Sequence, residues 1–390
     1  MKVLIYMELS QLRPVGGPLG YVNNLKELIL KEHNADVEFL VGEKNYRKWK
    51  SIFKIDNWKI FPKFAKFIKL LAKFYLLIYG KEHSAIINLN DYDMVHFHST
   101  LDMYSCRDSL DSFKGKAILT SHSPTLLSKE VYDSLRWYDK FFGYFVYKKL
   151  FRMDDYSFNR ADYFIFPCKE AEEPYYHSWS GFKQIREEKA SRFYYLPTGI
   201  NPCIAKENRQ SIREKYGIPE NAFLICYVGR HNAIKGYDIL KQIGNQFLEK
   251  HSDSYVIVAG KEDPMKMPNL SNWIEVGWTN DPHSIIAASD VFVLPNRETY
   301  FDLIMLEVLS LGKIVVASKT GGNKYFVNCD SVKLYDTLDD AAMMLEGLYS
   351  LGSSEKTILE LKSKELFEKK FTCENFYNNY KYILSQIYGS

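Results

Sequence analysis

Short, uninterrupted apolar runs recur along this chain, and longer stretches of helical periodicity separate them. KVLIYMEL, VEFLVG, MVHFH, AILTSH and YFIFP fall in the first half; FLICYVG, YVIVAG, WIEVG, VFVLP and IVVAS fall in the second. A strand buried on both faces has no polar side to show, and parallel strands need a crossover, usually a helix, between them. The alternation therefore predicts α/β architecture with parallel sheets. At 390 residues the chain exceeds what one ordinary core encloses, so two Rossmann-like domains are expected. The boundary is drawn at YLPTGINPCIAKENRQ, residues 195–210, where Pro, Gly and polar residues cluster. This gives domains at 1–200 and 201–374, with a closing helix at about 375–390 that can pack back on the first. Two such domains facing each other leave a cleft at the carboxyl ends of their strands, where ligands bind in sheets of this kind.

A second regularity crosses both halves. Asp93 stands before MVHFH, Asp162 before YFIFP and Asp290 before VFVLP. We read one supersecondary plan used in both domains, since no other sequence repeat is visible.

Composition narrows the function classes. Hydrophobic content of 46% with 25% charged residues is that of a soluble globular protein. A net charge of +3 argues against a dedicated nucleic-acid binder. The positive charge is uneven, however, with eleven Lys or Arg against the single acid Asp56 between Lys44 and Lys81. Within it, FPKFAKFIKLLAKFYLLIYG places Lys63, Lys66, Lys69 and Lys73 on one helical face and Phe64, Phe67, Ile68, Leu71 and Phe74 on another. Residues 59–79 thus fit an interfacial helix on an anionic membrane, or a domain helix with its lysines in water. Six scattered cysteines suit a reducing compartment. MKVLIYMEL reads as a first buried strand rather than a signal peptide. No apolar run approaches the roughly 20 residues that span a bilayer. A cytoplasmic protein is expected, with peripheral attachment to the inner face of the plasma membrane through residues 59–79.

Three stretches carry candidate chemistry. In VGRHNAIKGYDIL, residues 228–240, a strand ends, Arg230 and Lys235 follow, and Gly236 opens a helix. Two cations beside a helix start suit a diphosphate, though solvated surface cations would look the same. In RPVGGPLGYVNNLKEL, residues 13–28, Gly16 and Gly17 let backbone approach a ligand at another helix start, or simply make a turn. It is not GxGxxG, so a dinucleotide is disfavoured. His96, His98 and His122 end two apolar runs, and neighbouring strand ends would bring His98 and His122 together. Hydrogen bonding to substrate and structural packing both fit them. Zinc does not, because no acidic residue accompanies them at ligand spacing.

Together these residues resemble the retaining glycosyltransferases of family 4, which have the two-domain GT-B fold. The resemblance covers nearly the whole chain. It rests on the glycine pair after the first run, the strand-end histidines, GR followed by KG, SDVFVLP, TGG at 320–322, and a glutamate before a leucine-rich helix. It implies that Glu307 accepts hydrogen bonds from the ribose hydroxyls of a nucleotide. The family's sugar-side glutamate stands eight residues earlier, where this chain has Thr299, with Glu298 one place further; TYFDL replaces the usual EGFGL. Sugar contact therefore falls either to Glu298 through a shifted turn or to Thr299 and Asp302. The resemblance further implies that Gly16, Gly17, Arg230 and Lys235 bind the nucleotide diphosphate, and that His98 and His122 contact sugar or acceptor. His122 joins Arg230, Lys235, Glu298, Thr299 and Asp302 in the catalytic set.

The implied activity is retaining transfer from a nucleotide-sugar, a UDP-sugar by preference, to a glycan or lipid-linked saccharide in bacterial surface polysaccharide synthesis. Neither metal nor cofactor is expected, since cations and helix starts can stabilise the leaving diphosphate. The leaving phosphate oxygen would take the acceptor's proton; an inverting enzyme would instead need a base, for which His122 or Glu172 are candidates. Two other readings stay open: a GT-B subunit that binds glycan or a partner without catalysis, and a sugar-nucleotide epimerase of similar fold.

Overall fold

A computed structural model describes residues 1–7, 12, 17–40, 74–75, 87–262 and 265–390. Gly16 lies outside the described residues, as does the 59–79 stretch apart from Phe74 and Tyr75. The chain divides into two compact units. One comprises Met1–Phe166, Tyr175–Tyr194 and Lys381–Ser390; the other comprises Pro167–Pro174 and Tyr195–Tyr380.

The first unit holds a six-stranded sheet in the order β2-β1-β3-β4-β5-β6. Its strands are β1 (Val3–Tyr6), β2 (Val37–Phe39), β3 (Met94–Phe97), β4 (Lys116–Leu119), β5 (Tyr163–Phe166) and β6 (Phe193–Tyr195). The second holds β12-β11-β10-β7-β8-β9. These are β7 (Leu224–Val228), β8 (Tyr255–Ala259), β9 (Trp273–Gly277), β10 (Val291–Leu294), β11 (Ile314–Ser318) and β12 (Val332–Tyr335). The ladders from β2 to β5, and all those of the second sheet, are parallel. Each unit is thus the Rossmann-like layer the apolar runs predict. All ten runs contain a strand. Two further strands, β6 and β12, were not read from the sequence.

Burial explains which runs were legible. β1, β3, β5 and β10 are buried at every residue, so water never selects for a polar face. Each fully buried Val, Leu, Ile or Phe contributes about 1.5–3 kcal/mol relative to exposure. β12 sits at a sheet edge, with the adjacent Lys333 and Leu334 only half-buried, so its VKLY carries neither an unbroken apolar run nor a clean alternation.

The recurring aspartate has one function at all three places. The Asp93 carboxylate accepts the Lys2 backbone N–H at 2.7 Å, that of Asp162 the Ala117 N–H at 2.8 Å, and that of Asp290 the Leu224 N–H at 2.8 Å. In return, each aspartate's own N–H donates to the carbonyl of the same residue, at 2.9, 2.8 and 2.9 Å. This two-way clasp satisfies backbone groups at a strand entrance and sets the register of the ladder that follows. Two of the clasps join β1 to β3 and β7 to β10, the pairs at which strand order reverses in each sheet. The opposite, carboxyl ends of those same pairs are where an open α/β sheet leaves room for a ligand.

The C-terminal half of the helix Cys373–Gly389, from Lys381 on, belongs to the first unit. Lys116 Nζ donates to the Ile387 and Tyr388 carbonyls at 2.5 and 3.1 Å, and Lys381 pairs with Glu32 at 3.0 Å.

Candidate functional site

In the second unit the chain leaves β7 at Gly229 and reaches the helix Tyr237–Lys250 through Arg230–Gly236. Gly236 is required twice over. Its φ of 66° is one that side chains rarely adopt, and a Cβ there would lie 1.7 Å from the Pro295 carbonyl oxygen. The loops after β7 and β10 are therefore pressed together. Arg297 staples them: it donates to the Ala233 carbonyl at 2.7 Å and bidentately to Asp238 at 2.7 and 2.5 Å. That fork holds the Asp238 carboxyl below the usual carboxylate range.

Between these loops Lys235 and Asp302 meet. Lys235 Nζ donates to both carboxylate oxygens of Asp302 at 2.7 Å, and Asn296 Nδ2 donates to one of them. Asp302 is the N-cap residue of the helix Leu303–Ser310, yet its side chain makes no capping bond there. The carboxylate turns to the lysine instead, leaving the first N–H groups of that helix without a side-chain cap. Thr299 is buried, and neither its Oγ1 nor the Oδ1 of Asn296 has a hydrogen-bond partner among the described residues. The TGG segment brings this turn into place: a Cβ on Gly321 would lie 2.1 Å from the Thr299 carbonyl, and one on Gly322 2.1 Å from that of Tyr300. Arg230 and Glu298, by contrast, are exposed at the surface.

Glu307 lies further along the same helix and is paired with His283, whose Nε2 is 3.3 Å from Oε2. A hydrogen bond with the Cys203 side chain first, and that with Glu307 second, raise the His283 pKa to about 10 against the opposing effect of burial. The imidazole is therefore cationic at neutral pH. Sequence reasoning missed His283, Arg297 and Asp238. Their partners are 24 and 59 residues away, and no local pattern marks such pairs.

The first unit's candidates also cluster. His98 Nδ1 and His122 Nε2 are 2.8 Å apart, and the rings of His96 and His98 lie 4.1 Å apart. His96 Nε2 bonds Thr120 Oγ1 at 2.9 Å, and the Tyr21 ring meets His122 edge-on at 4.6 Å. His98 Nε2 is buried with no hydrogen-bond partner among the described residues. Burial pushes the pKa of His96 and of His122 down to about 3 and that of His98 well below its ordinary value. Neutral imidazoles each offer one donor and one acceptor, which suits hydroxyl groups rather than anions. Among the described residues no group of three His, Cys, Asp or Glu side chains is placed to hold a metal ion. Gly17, at a φ of 78°, opens the helix Pro18–Lys31 without a side-chain cap, and among the described residues no atom lies within 4 Å of where a Cβ would stand.

A sequence model described as Glycosyl transferases group 1 matches residues 222–351, which contain Arg230, Lys235, Glu298, Thr299, Asp302 and Glu307. The lipopolysaccharide 1,2-N-acetylglucosaminetransferase of Salmonella typhimurium is 24% identical over 216 residues, covering 50% of this chain and 57% of that protein. A UDP-Gal:alpha-D-GlcNAc-diphosphoundecaprenol alpha-1,3-galactosyltransferase of Escherichia coli is 26% identical over 191 residues, covering 45% of this chain and 48% of that protein. The matched stretches thus span about half the length of these curated relatives. Among solved structures, Anabaena HepE in complex with UDP-glucose superposes with a TM-score of 0.63 at 14% identity, over 99% of this chain and 100% of that one. WaaG, a glycosyltransferase involved in lipopolysaccharide biosynthesis, does so with a TM-score of 0.57 at 15% identity, over 94% and 95%. At such identities the likeness speaks for the fold, and that fold is GT-B.

Proposed function

We propose, from the premise that residues 222–351 are a glycosyl transferases group 1 domain in a chain of GT-B fold, that this protein is a retaining glycosyltransferase. It takes a nucleotide-sugar, a UDP-sugar by preference, and extends a glycan or lipid-linked saccharide of a bacterial surface polysaccharide. One observation carries the reading. Lys235, Asp302, Thr299 and an uncapped helix start converge at the carboxyl ends of β7 and β10, with Glu307 on the same helix. Support for UDP comes from HepE, which has been solved with UDP and with UDP-glucose. Support for the acceptor class comes from relatives that act on lipopolysaccharide and on a diphosphoundecaprenol-linked sugar.

The roles follow from charge. A nucleoside diphosphate leaving the anomeric carbon gathers negative charge, which Lys235, Arg230 and the start of the helix Leu303–Ser310, bare of any side-chain cap, are suited to stabilise without a metal. Glu307, acting as acceptor only, suits the paired ribose hydroxyls. Asp302 and Thr299 take the sugar-side contacts, since Asp302 already lies against the diphosphate lysine and Glu298 is on the surface. His98 and His122, held neutral, hydrogen-bond sugar or acceptor hydroxyls. Gly17 carries the backbone contact expected of the first glycine loop.

The test is direct. UDP and GDP should be titrated calorimetrically, then UDP-sugars screened for slow hydrolysis and the anomeric configuration of any product determined by NMR. UDP binding with retention supports the reading; no binding of either nucleotide sinks it. A second reading is motivated by the Lys235–Asp302 pair itself. A lysine neutralised at 2.7 Å could belong to a GT-B protein that binds glycan and transfers nothing. Nucleotide binding without turnover of any donor would favour that alternative.

A further inference from the structure

The helix Lys140–Arg160 enters the first unit by its C-terminal half. There Leu150, Met153 and Phe158 are buried, and Asp154 accepts from Thr100 Oγ1 at 2.7 Å and from the Ser128 N–H at 2.8 Å. Its beginning is the reverse. Trp137, in the turn leading in, is 84% exposed, and Phe141 and Phe145 are 74% and 68% exposed. Phe141 and Phe145 stand four apart on one face of the helix, and Trp137 precedes them in the turn leading in, so the exposed aromatics gather at this end as one ridge. Tyr138 and Tyr144 flank it, both about half exposed. Scattered exposed apolar residues need no explanation, but a contiguous ridge of large aromatics does.

Charge identifies what the ridge suits. Residues 136–152 contain the cations Arg136, Lys140, Lys148, Lys149 and Arg152 against the single acid Asp139. Arg136 and Lys148 lie over the rings of Tyr138 and Tyr144 at 5.9 and 4.8 Å, so cations and aromatics form one surface. Aromatic side chains settle at the boundary between lipid headgroups and acyl chains, and neighbouring Lys and Arg are drawn to anionic headgroups. No helix among the described residues is long and apolar enough to cross a membrane, so contact of this kind would be from one side.

We propose that the Trp137–Phe141–Phe145 ridge and its flanking cations seat the first unit on an anionic lipid bilayer. The inference deepens the proposed function, resting on its lipid-linked acceptor for a purpose but not for its test. Vesicle binding is measured without any donor. The protein is floated with vesicles of phosphatidylcholine alone or mixed with phosphatidylglycerol. Wild type is expected to float with the anionic vesicles and to be released by salt. Trp137→Ser/Phe141→Ser/Phe145→Ser should lower vesicle partition by about tenfold or more while leaving the UDP-induced thermal shift unchanged. Trp137→Phe, which preserves the fold, provides the second readout. In vesicles mixed with phosphatidylglycerol, phosphatidylcholine with brominated acyl chains should quench a tryptophan in wild type that is missing in this variant. Failure of wild type to bind anionic vesicles overturns the proposal. So does equal partition of the triple variant, the result expected if residues 59–79 alone did the binding. A wild-type dimer that the triple substitution converts to monomer, without vesicle binding, would make the ridge an interface between copies. Loss of sugar transfer with vesicle binding intact would count against the transferase and leave the ridge standing.

Discussion

Lys235 and Asp302 are each proposed to contact the donor, and they are already occupied with each other. Their contact at 2.7 Å means that an incoming diphosphate must share the lysine or displace the carboxylate. Lys235→Ala should therefore cost about 2–4 kcal/mol of transition-state stabilisation, read as kcat/KM over a donor series that spans KM. Asp302→Asn removes the competing charge. UDP affinity by calorimetry should hold or rise while sugar transfer falls, and a fall in both would make Asp302 a support for the lysine rather than a sugar contact. His283 gives a pH test of the neighbouring pair. Its folded pKa is raised from 6.5 to about 10, so the stability it contributes is fully present below 6.5 and is lost as pH rises through about 10. Melting temperature should decline over that window in wild type and decline less in His283→Gln. Equal slopes would mean that His283 is not held as a cation by Cys203 and Glu307.

At the scale of elements, the aspartate clasps offer a graded prediction. All three satisfy the same backbone groups, but their surroundings differ. Asp93 is 45% exposed, Asp162 34% and Asp290 16%, and Asp290 alone neutralises the buried Arg213 at 3.0 Å. Breaking a buried pair from one side costs about 3–5 kcal/mol, whereas losing an exposed cap costs about 1 kcal/mol. Urea unfolding should thus rank Asp290→Ala well above Asp162→Ala and Asp93→Ala; three equal losses would show that the clasp, not the ion pair, carries the energy. The position of these aspartates was legible in the sequence because each abuts an apolar run. Their function was not, because the residues they clasp are 91, 45 and 66 positions away. The same division runs through the whole chain. The central runs were readable from burial, and the edge strands β2 and β9 from their apolar residues, while β12 needs its neighbour β11 to be recognised as a strand. Lys235, Thr299, Asp302 and Glu307 could be singled out by motif, yet the Lys235–Asp302 contact spans 67 residues and the His283–Glu307 contact 24.

Across the whole molecule, one plan is used twice with opposite electrostatic outcomes. Each unit sets its candidate residues at the carboxyl ends of strands at or beside the reversal of sheet order, after β7 and β10 in the second unit and after β1, β3 and β4 in the first. In the second unit those ends carry Arg230, Lys235 and an uncapped helix start; in the first they carry histidines held neutral by burial. A nucleoside diphosphate is strongly anionic, so its binding free energy should be concentrated in the second unit, while neutral imidazoles have little to offer it. Binding to the folded state alone protects the segments it orders, by about 2.7 kcal/mol when free ligand stands at 100 times Kd. Hydrogen exchange with saturating UDP should therefore slow at the backbone amides of residues 229–237 and 296–307, and leave residues 96–99 and 120–123 nearly unchanged. In Lys235→Ala the same protection should appear only at higher UDP concentration, because the site has lost charge and not shape. Protection confined to the histidine segments would move the nucleotide to the first unit, and would require the acceptor to be sought in the second.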